Sequence, residues 1–273
     1  MTPVEAAILG IVQGLTEFLP ISSSGHLEIV GQMMGDRPGA AFIAVIQLGT
    51  MAAVLLYFRK DLLGITRGFL RGLRDKGART TTEWRLAWYI AAGTIPIGLL
   101  GVAFEQRIEA GQTLRLIATM LIALGLLLLV AERVGRRTRG LDSLTLKDSL
   151  VIGAAQAAAL IPGVSRSGST ITAGLFLGLD RPTAARFSFL LSIPAVVLSG
   201  VFQLGDIGGP GSAGPTQTVI ATVLAFVSGY AAIAGLLKFL ATHSTLVFVA
   251  YRVVVGVLVL VLVGTDGLNN CPE

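Results

Sequence analysis

Charge is what this sequence has least of. Only 14% of its 273 residues are Asp, Glu, Lys or Arg, while 53% are hydrophobic and the mean hydropathy is +0.77. A soluble domain carries about 25% charged residues, so too little polar surface exists here to coat a soluble particle. The same figures exclude a disordered, collagenous or coiled-coil chain. One cysteine, Cys271, excludes a disulfide framework and any CxxC metal site. Two histidines, His26 and His243, leave no material for a His-rich zinc centre. No basic n-region precedes the first apolar segment, which opens Met-Thr-Pro-Val-Glu, so that segment is expected to stay in the mature protein. Acidic residues are the scarcer sign, 16 against 21 Lys+Arg. In a soluble protein such a balance points to nucleic acid. Here the basic residues cluster between apolar segments, as topology signals do. The chain reads as an all-α integral membrane protein.

A membrane span needs about 20 apolar residues. The sequence predicts spans at about 40–58, 86–104, 116–131, 187–204, 219–237 and 246–264. Two other stretches, 3–34 and 148–179, differ. Each holds an apolar piece, then Pro and a Ser/Gly-rich turn, then a short second apolar piece. Broken helices of this kind sit at membrane depth only when buried in protein or lining a wet cavity, so both are expected to be re-entrant helix–turn–helix segments. Lys and Arg divide 16 to 3 between alternate connecting segments, with eight in 59–85 alone. The positive-inside rule then puts both termini outside. The count closes only if 3–34 and 148–179 re-enter without crossing. The turn-rich stretch 205–217 reads as an external loop, and the basic residues of 59–85 are expected to set topology rather than to form a surface helix. Arg252, near the inner end of the last span, is expected to snorkel, and His243 to be solvated.

Sliding the chain on itself by 143 positions aligns the broken segments without a gap. Gly10 meets Gly153, Gln13 meets Gln156, Ser22 meets Ser165, Ser24 meets Ser167, and Gly25 meets Gly168. Three expected spans follow each broken segment, and the charge count starts the two halves from opposite sides. The expectation is a single membrane domain over 1–273 built as two inverted repeats, about 1–135 and about 146–264. Its site would lie near the midplane, where the broken helices meet.

The chemistry-bearing residues lie in those breaks. Gln13 and Glu17 share one helix face. A carboxylate inside an apolar segment costs about 2.5–3.5 kcal/mol on insertion scales and faces a cavity or a partner. Ser22, Ser23, Ser24 and Gly25 form a turn that opens the next helix, where free backbone N–H groups favour an anion; His26 follows directly. In the second break Arg166 stands alone as a charge between Ser149 and Leu179. It needs an anionic partner, either a ligand phosphate or Glu17 in an internal ion pair. With Ser165, Ser167, Gly168 and Thr170 around it, this is a candidate phosphate cradle. An acid–base carboxylate, an imidazole, hydroxyls and a guanidinium in apolar surroundings suit a lipid-linked phosphate, either as the substrate of phosphoryl transfer or as the cargo of a transporter.

At these residues the sequence resembles the bacterial undecaprenyl-diphosphate phosphatase family, also called bacitracin resistance proteins. Gln13-Gly-Leu-Thr-Glu-Phe-Leu-Pro-Ile-Ser-Ser-Ser-Gly-His26 is similar to its Glu/Gln-x-x-x-Glu motif with serine turn, and Pro162-Gly-Val-Ser-Arg-Ser-Gly-Ser-Thr170 to its second motif. The resemblance implies hydrolysis of undecaprenyl diphosphate to the monophosphate in the bacterial plasma membrane, recycling the carrier lipid of cell-wall synthesis and conferring bacitracin resistance. It implies that Glu17 is an essential acid–base group or metal ligand. His26 and Ser23 are then nucleophile or proton-transfer candidates, with water as the alternative attacking group. Arg166 would clamp phosphate with Ser165, Ser167 and Thr170, the active site facing the outer (periplasmic) side. A divalent cation, Mg²⁺ or Ca²⁺, is implied as well. Gln13 stands where many members have Glu, so the cation is expected to be bridged by the substrate diphosphate. The expected partners are the polyprenyl diphosphate and the membrane, without nucleic acid, and a homodimer is admitted. The rival reading is a transporter or flippase of a polyprenyl phosphate.

Sidedness is directly measurable. An impermeant thiol reagent added to intact spheroplasts is expected to label Cys271; labelling only after lysis overturns the orientation.

Overall fold

The first helix starts where its sequence says it must. Thr2 caps it, its hydroxyl accepting from the Glu5 amide while the Glu5 carboxylate accepts from the Thr2 amide at 2.6 Å, and Pro3 fills the position that needs no N–H. In the computed structural model, which describes residues 1–35, 38–110, 113–203, 213–265, 267–268 and 270 (backbone only at 102, 104–110 and 199–203), helices follow one another along the whole chain. They are α1 (Pro3–Phe18), α2 (Ser23–Met34), α3 (Ala40–Tyr57), α4 (Arg59–Arg74), α5 (Thr82–Ala110), α6 (Leu114–Val134), α7 (Leu146–Ala157), α8 (Arg166–Phe176), α9 (Arg181–Gln203), α10 (Pro215–Leu240) and α11 (Leu246–Gly264). No strand occurs among the described residues.

Four helices, α3, α6, α10 and α11, are long and apolar enough to cross a membrane. They coincide with the spans expected at about 40–58, 116–131, 219–237 and 246–264. The span expected at about 86–104 lies within α5, and that at about 187–204 overlaps α9 up to Gln203; the two helices carry Pro96 and Pro194 internally. Of the expected external loop at 205–217, residues 205–212 lie outside the described residues and 215–217 already belong to α10, where Pro215 opens the helix; the probe Cys271 also lies outside the described residues. Segment 59–85 departs from expectation: beyond carrying charge, it forms the amphipathic helix α4. Its apolar residues recur at helical spacing and dock on α5, which a purely topological reading of the charges overlooks.

Both broken segments are helix–turn–helix units. α1 stops at Pro20, whose predecessor Leu19 is extended, as the residue before a proline prefers. α7 passes through a short 3₁₀ turn, Ala158–Leu160, before Pro162. Positions 143 apart share more than residue type. Thr145 and Asp148 repeat the reciprocal cap of Thr2 and Glu5. Ser22 and Ser165 both take positive φ, 76° and 67°, a conformation that non-glycine residues adopt only when surroundings impose it.

Glycines set the helix seams. A Cβ on Gly10 would stand 2.3 Å from the Ala221 carbonyl oxygen, and one on Gly153 would stand 2.2 Å from that of Gly93. α1 therefore lies backbone to backbone on α10, and α7 on α5. Around these seams runs a core of buried apolar side chains that includes Phe18, Phe58, Phe187 and Phe189, with Phe18 and Phe189 edge to face at 5.6 Å. At the more charged end the loops are tied by ion pairs. Glu132 receives Arg137 at 2.8 Å together with Arg181, Asp148 receives Arg139 at 2.6 Å, and Asp61 receives Arg186.

Gly153→Val is expected to lower the melting temperature in detergent strongly, because overpacking a seam costs about 1–3 kcal/mol or more. Gly64→Ala, with open space around the new methyl, should leave melting unchanged or raise it slightly.

Candidate active site

The two breaks bring their polar residues to one place. The side chain of Glu17, the penultimate residue of α1, is 9% exposed, and that of Arg166, first residue of α8, is 17% exposed. Their side chains form an ion pair between residues 149 positions apart, through the Arg166 Nη2 and the Glu17 Oε1. The other carboxylate oxygen accepts from the Ser23 hydroxyl at 2.7 Å and from the Gln13 amide at 3.3 Å. Glu17 is thus held by a cation, a hydroxyl and an amide, all donors. Of the two partners open to Arg166, the structure realises the internal pair, which an incoming anion can replace on the guanidinium.

Both turns open helices whose first residues, Ser23 and Arg166, bond to Glu17. The N-cap of α2, Ser22, makes no side-chain capping bond, so the first-turn amides of α2 remain available as anion donors. Ser22 and Ser24 hydroxyls lie 3.4 Å apart, and Ser24 is exposed. In the second turn Ser165 caps the Gly168 amide at 3.1 Å, and its hydroxyl lies 3.2 Å from that of Ser167. Ser167 in turn donates to the Leu19 carbonyl at 2.9 Å, stitching the second turn to the first. Gly25 packs its bare Cα against Ile117, where a Cβ would come to 2.9 Å. Thr170 lies deeper: it is fully buried, donates to the Arg166 carbonyl and shares a 2.5 Å hydrogen bond with Ser188. Its hydroxyl braces α8 against α9 rather than facing the ion pair.

His26 is buried and fully engaged. Its Nδ1 lies 2.7 Å from the Ser22 carbonyl, which can only accept, so the ring proton sits on Nδ1. The neutral ring then accepts at Nε2 from the Tyr251 hydroxyl at 2.7 Å, and the two rings stack at 5.5 Å.

Arg252 was expected to snorkel to the surface, and it does the opposite. It is 1% exposed and donates to five backbone carbonyls: Pro20 of the first turn at 3.0 Å, Gly163 at 3.2 Å and Val164 at 3.3 Å of the second, and Met120 and Leu121 of α6 at 3.2 and 3.0 Å. The breaks leave the Pro20, Gly163 and Val164 carbonyls without intrahelical partners, and in an apolar interior each needs a donor. One planar guanidinium supplies them, Nη1 to Pro20 and Nη2 to Gly163 and Val164, while its Nε and Nη2 also anchor on the α6 carbonyls of Leu121 and Met120. Gly163, with φ +89°, presses against the Ile117 backbone, and a Cβ on Gly168 would stand 3.1 Å from Arg252 Nη1. Tyr251 and Arg252 are the residues bracing the candidate site that sequence reasoning missed. The available signal was a charge six residues into an otherwise uncharged span, read as interfacial because of its nearness to the end.

The site offers a metal one carboxylate, already paired with Arg166. Among the described residues no cluster of three His, Cys, Asp or Glu side chains stands close enough to hold an ion. These residues do not build a protein-held divalent site.

Residues 6–258 match the family described as bacitracin resistance protein BacA. A protein of Mycolicibacterium smegmatis called undecaprenyl-diphosphatase is 52% identical over 274 residues, covering 98% of this chain and 99% of its own. Proteins of the same name from Kineococcus radiotolerans and Myxococcus xanthus are 54% and 52% identical, covering 95% and 98% of this chain and 93% and 92% of their own.

Removing the Arg252 guanidinium strands the Pro20, Gly163 and Val164 carbonyls of the two breaks, at about 1–3 kcal/mol for each one left buried and unpaired. Arg252→Met is expected to melt far below the native protein in detergent, with Arg252→Lys in between. Tyr251→Phe keeps the stacked ring and should fall within about 1 kcal/mol of native stability. Equal melting of all three variants overturns the bracing role.

Proposed function

The chain belongs to the bacitracin resistance protein BacA family, and from that premise we propose how its own residues carry out the reaction. It is an undecaprenyl-diphosphatase: it hydrolyses undecaprenyl diphosphate to undecaprenyl phosphate and inorganic phosphate, an enzyme of the carrier-lipid cycle in cell-wall synthesis. The single observation carrying the proposal is the Ser23–Glu17–Arg166 chain, in which one carboxylate holds a hydroxyl on one oxygen and a guanidinium on the other.

The diphosphate displaces Glu17 Oε1 from Arg166, whose planar fork matches phosphate oxygens, and the amides opening α2 and α8 share the charge. Glu17 Oε2 then takes the proton of Ser23 Oγ as the oxygen attacks the terminal phosphorus. The bond from that phosphorus to the bridging oxygen breaks, and undecaprenyl phosphate leaves with the bridging oxygen. Glu17 passes that proton to the departing bridging oxygen and is a carboxylate again. It then deprotonates a water that attacks the phosphorus on Ser23, phosphate leaves, and the Ser23 oxygen takes the proton back from Glu17. His26, with both ring nitrogens engaged, holds the Ser22–Ser24 turn in place rather than attacking phosphorus. Gln13 orients Glu17. A divalent cation, Mg²⁺ or Ca²⁺, comes with the diphosphate as part of the substrate, as a preference for few protein ligands allows.

The shared caps, the shared positive-φ serines and the paired glycine seams support two inverted repeats, about 1–135 and about 146–264, with re-entrant segments 3–34 and 148–179 and six spans. The basic-residue distribution supports a bacterial plasma-membrane protein with both termini and the site toward the outer side. The same reading admits a homodimer.

Phosphate release from a prenyl diphosphate in detergent tests the roles. Arg166→Ala should abolish turnover with folding intact, and Arg166→Lys should recover little. Glu17→Gln should lose at least about 10²-fold, Ser23→Ala comparably, and Gln13→Ala much less. An active Ser23→Ala variant transfers the attack to water.

A further inference from the structure

On the charged end of the molecule the fold answers many of its cations from within. Arg137 and Arg181 meet Glu132, Arg139 meets Asp148, and Arg186 meets Asp61. Helix α4 is different. Arg59, Lys60, Arg67, Arg71 and Arg74 have no carboxylate partner among the described residues, and the helix's one acid, Asp61, is taken by Arg186.

Four of these charges, all but Arg59, occupy one of three faces. Leu62, Ile65, Phe69 and Gly72 form the face turned to the protein. Gly72 fits against the Trp84 ring, where a Cβ would come to 2.2 Å, and Phe69 stacks on Trp84 at 5.4 Å and meets Trp88 edge-on at 5.8 Å. That packing fixes the rotation of the helix. It leaves Leu63, Leu70 and Leu73 exposed at 52%, 56% and 54% on a second face. Beside them, Lys60, Arg67, Arg71 and Arg74 line the third at the spacing of one helical stripe.

Connectivity sets the depth. α4 follows the apolar span α3 after the single residue Phe58, and it rests on the tryptophans that begin α5. That is the level of a membrane–water interface, where aromatic rings gather. An exposed apolar stripe beside a cationic stripe, lying at that level, is the arrangement of a helix seated in the headgroup boundary.

We propose that α4 is a docking surface for anionic phospholipid headgroups, with its leucines among the acyl chains and Lys60, Arg67, Arg71 and Arg74 on the phosphates. The exposed leucines continue the outward apolar surface of Leu56 and Trp88, so the surrounding lipid meets this stripe without a further partner. An acidic protein would satisfy the charges while leaving that apolar stripe unexplained.

The test uses the purified full chain in mild detergent, with lipid retention read by native mass spectrometry and melting followed with added phosphatidylglycerol or phosphatidylcholine. Phosphatidylglycerol is expected to be retained preferentially and to raise the melting temperature more, with the difference shrinking at high salt. The triple variant R67Q/R71Q/R74Q should lose at least about tenfold of that preference while still releasing phosphate from a prenyl diphosphate in detergent. R133Q/R136Q, which removes exposed charge at the end of α6, should keep the preference. Equal retention of the two lipids by the native chain overturns the proposal, as does equal loss in both variants. A native preference for an acidic peptide over phosphatidylglycerol does so too. Should the triple variant fail to fold, the salt dependence of native retention decides alone: a preference insensitive to salt overturns the proposal.

Discussion

A helix interrupted inside an apolar interior frees carbonyls that no water can reach, and something in the protein must answer them. Here the answer is one side chain. Arg252 gathers carbonyls from the first break, the second break and α6 onto a single guanidinium. With the Ser167–Leu19 bond and the packing of Gly25 on Ile117, this holds the turns that carry Ser23 and Arg166 in place. Burying that cation costs several kcal/mol in desolvation, and its carbonyl contacts offset it. The geometry of the Glu17–Arg166 pair rests in part on a residue that touches neither member of it.

The two breaks are alike in backbone and unlike in chemistry. Shifted by 143, Ser23 falls on Arg166, Glu17 on Leu160 and His26 on Ser169. One half supplies the Ser23 hydroxyl and the Glu17 carboxylate, and the other supplies the Arg166 cation at the first helical position corresponding to Ser23. Neither turn has both. Gln156 shows the difference: it is buried like Gln13, yet its amide meets no partner among the described residues, because Leu160 stands where Gln13 finds the Glu17 carboxylate. The asymmetry places opposite charges on facing turns, so that Glu17 and Arg166 attract across the junction.

Much of this was legible in the sequence, and for physical reasons. Pro20 and Pro162 with serine turns mark breaks because proline cannot continue a helix. Glu17 and Arg166 stand out because isolated charges are costly among apolar residues. What the sequence concealed depends on where side chains go after they leave a known helix. Arg252 sits close enough to the end of its span to reach water, and only the packed structure shows the side chain turned inward. The rotation of α4 about its own axis was hidden for a similar reason, since Trp84 and Phe69 set it from another helix. Thr170, motif-like by position, spends its hydroxyl on Ser188 of a neighbouring helix.

The glycine seams bear on how such a molecule can move. Where Gly10 meets Ala221 and Gly153 meets Gly93, main chain touches main chain with no side chain between. A contact of that kind has no rotamers to exchange, so it cannot yield by repacking. α1 with α10, and α7 with α5, are each joined along a seam that no change of rotamer loosens. The junction between the two turns is of the other kind: Ser167 on the Leu19 carbonyl and Arg252 on Pro20, Gly163 and Val164 are side-chain hydrogen bonds, which a change of torsion can break.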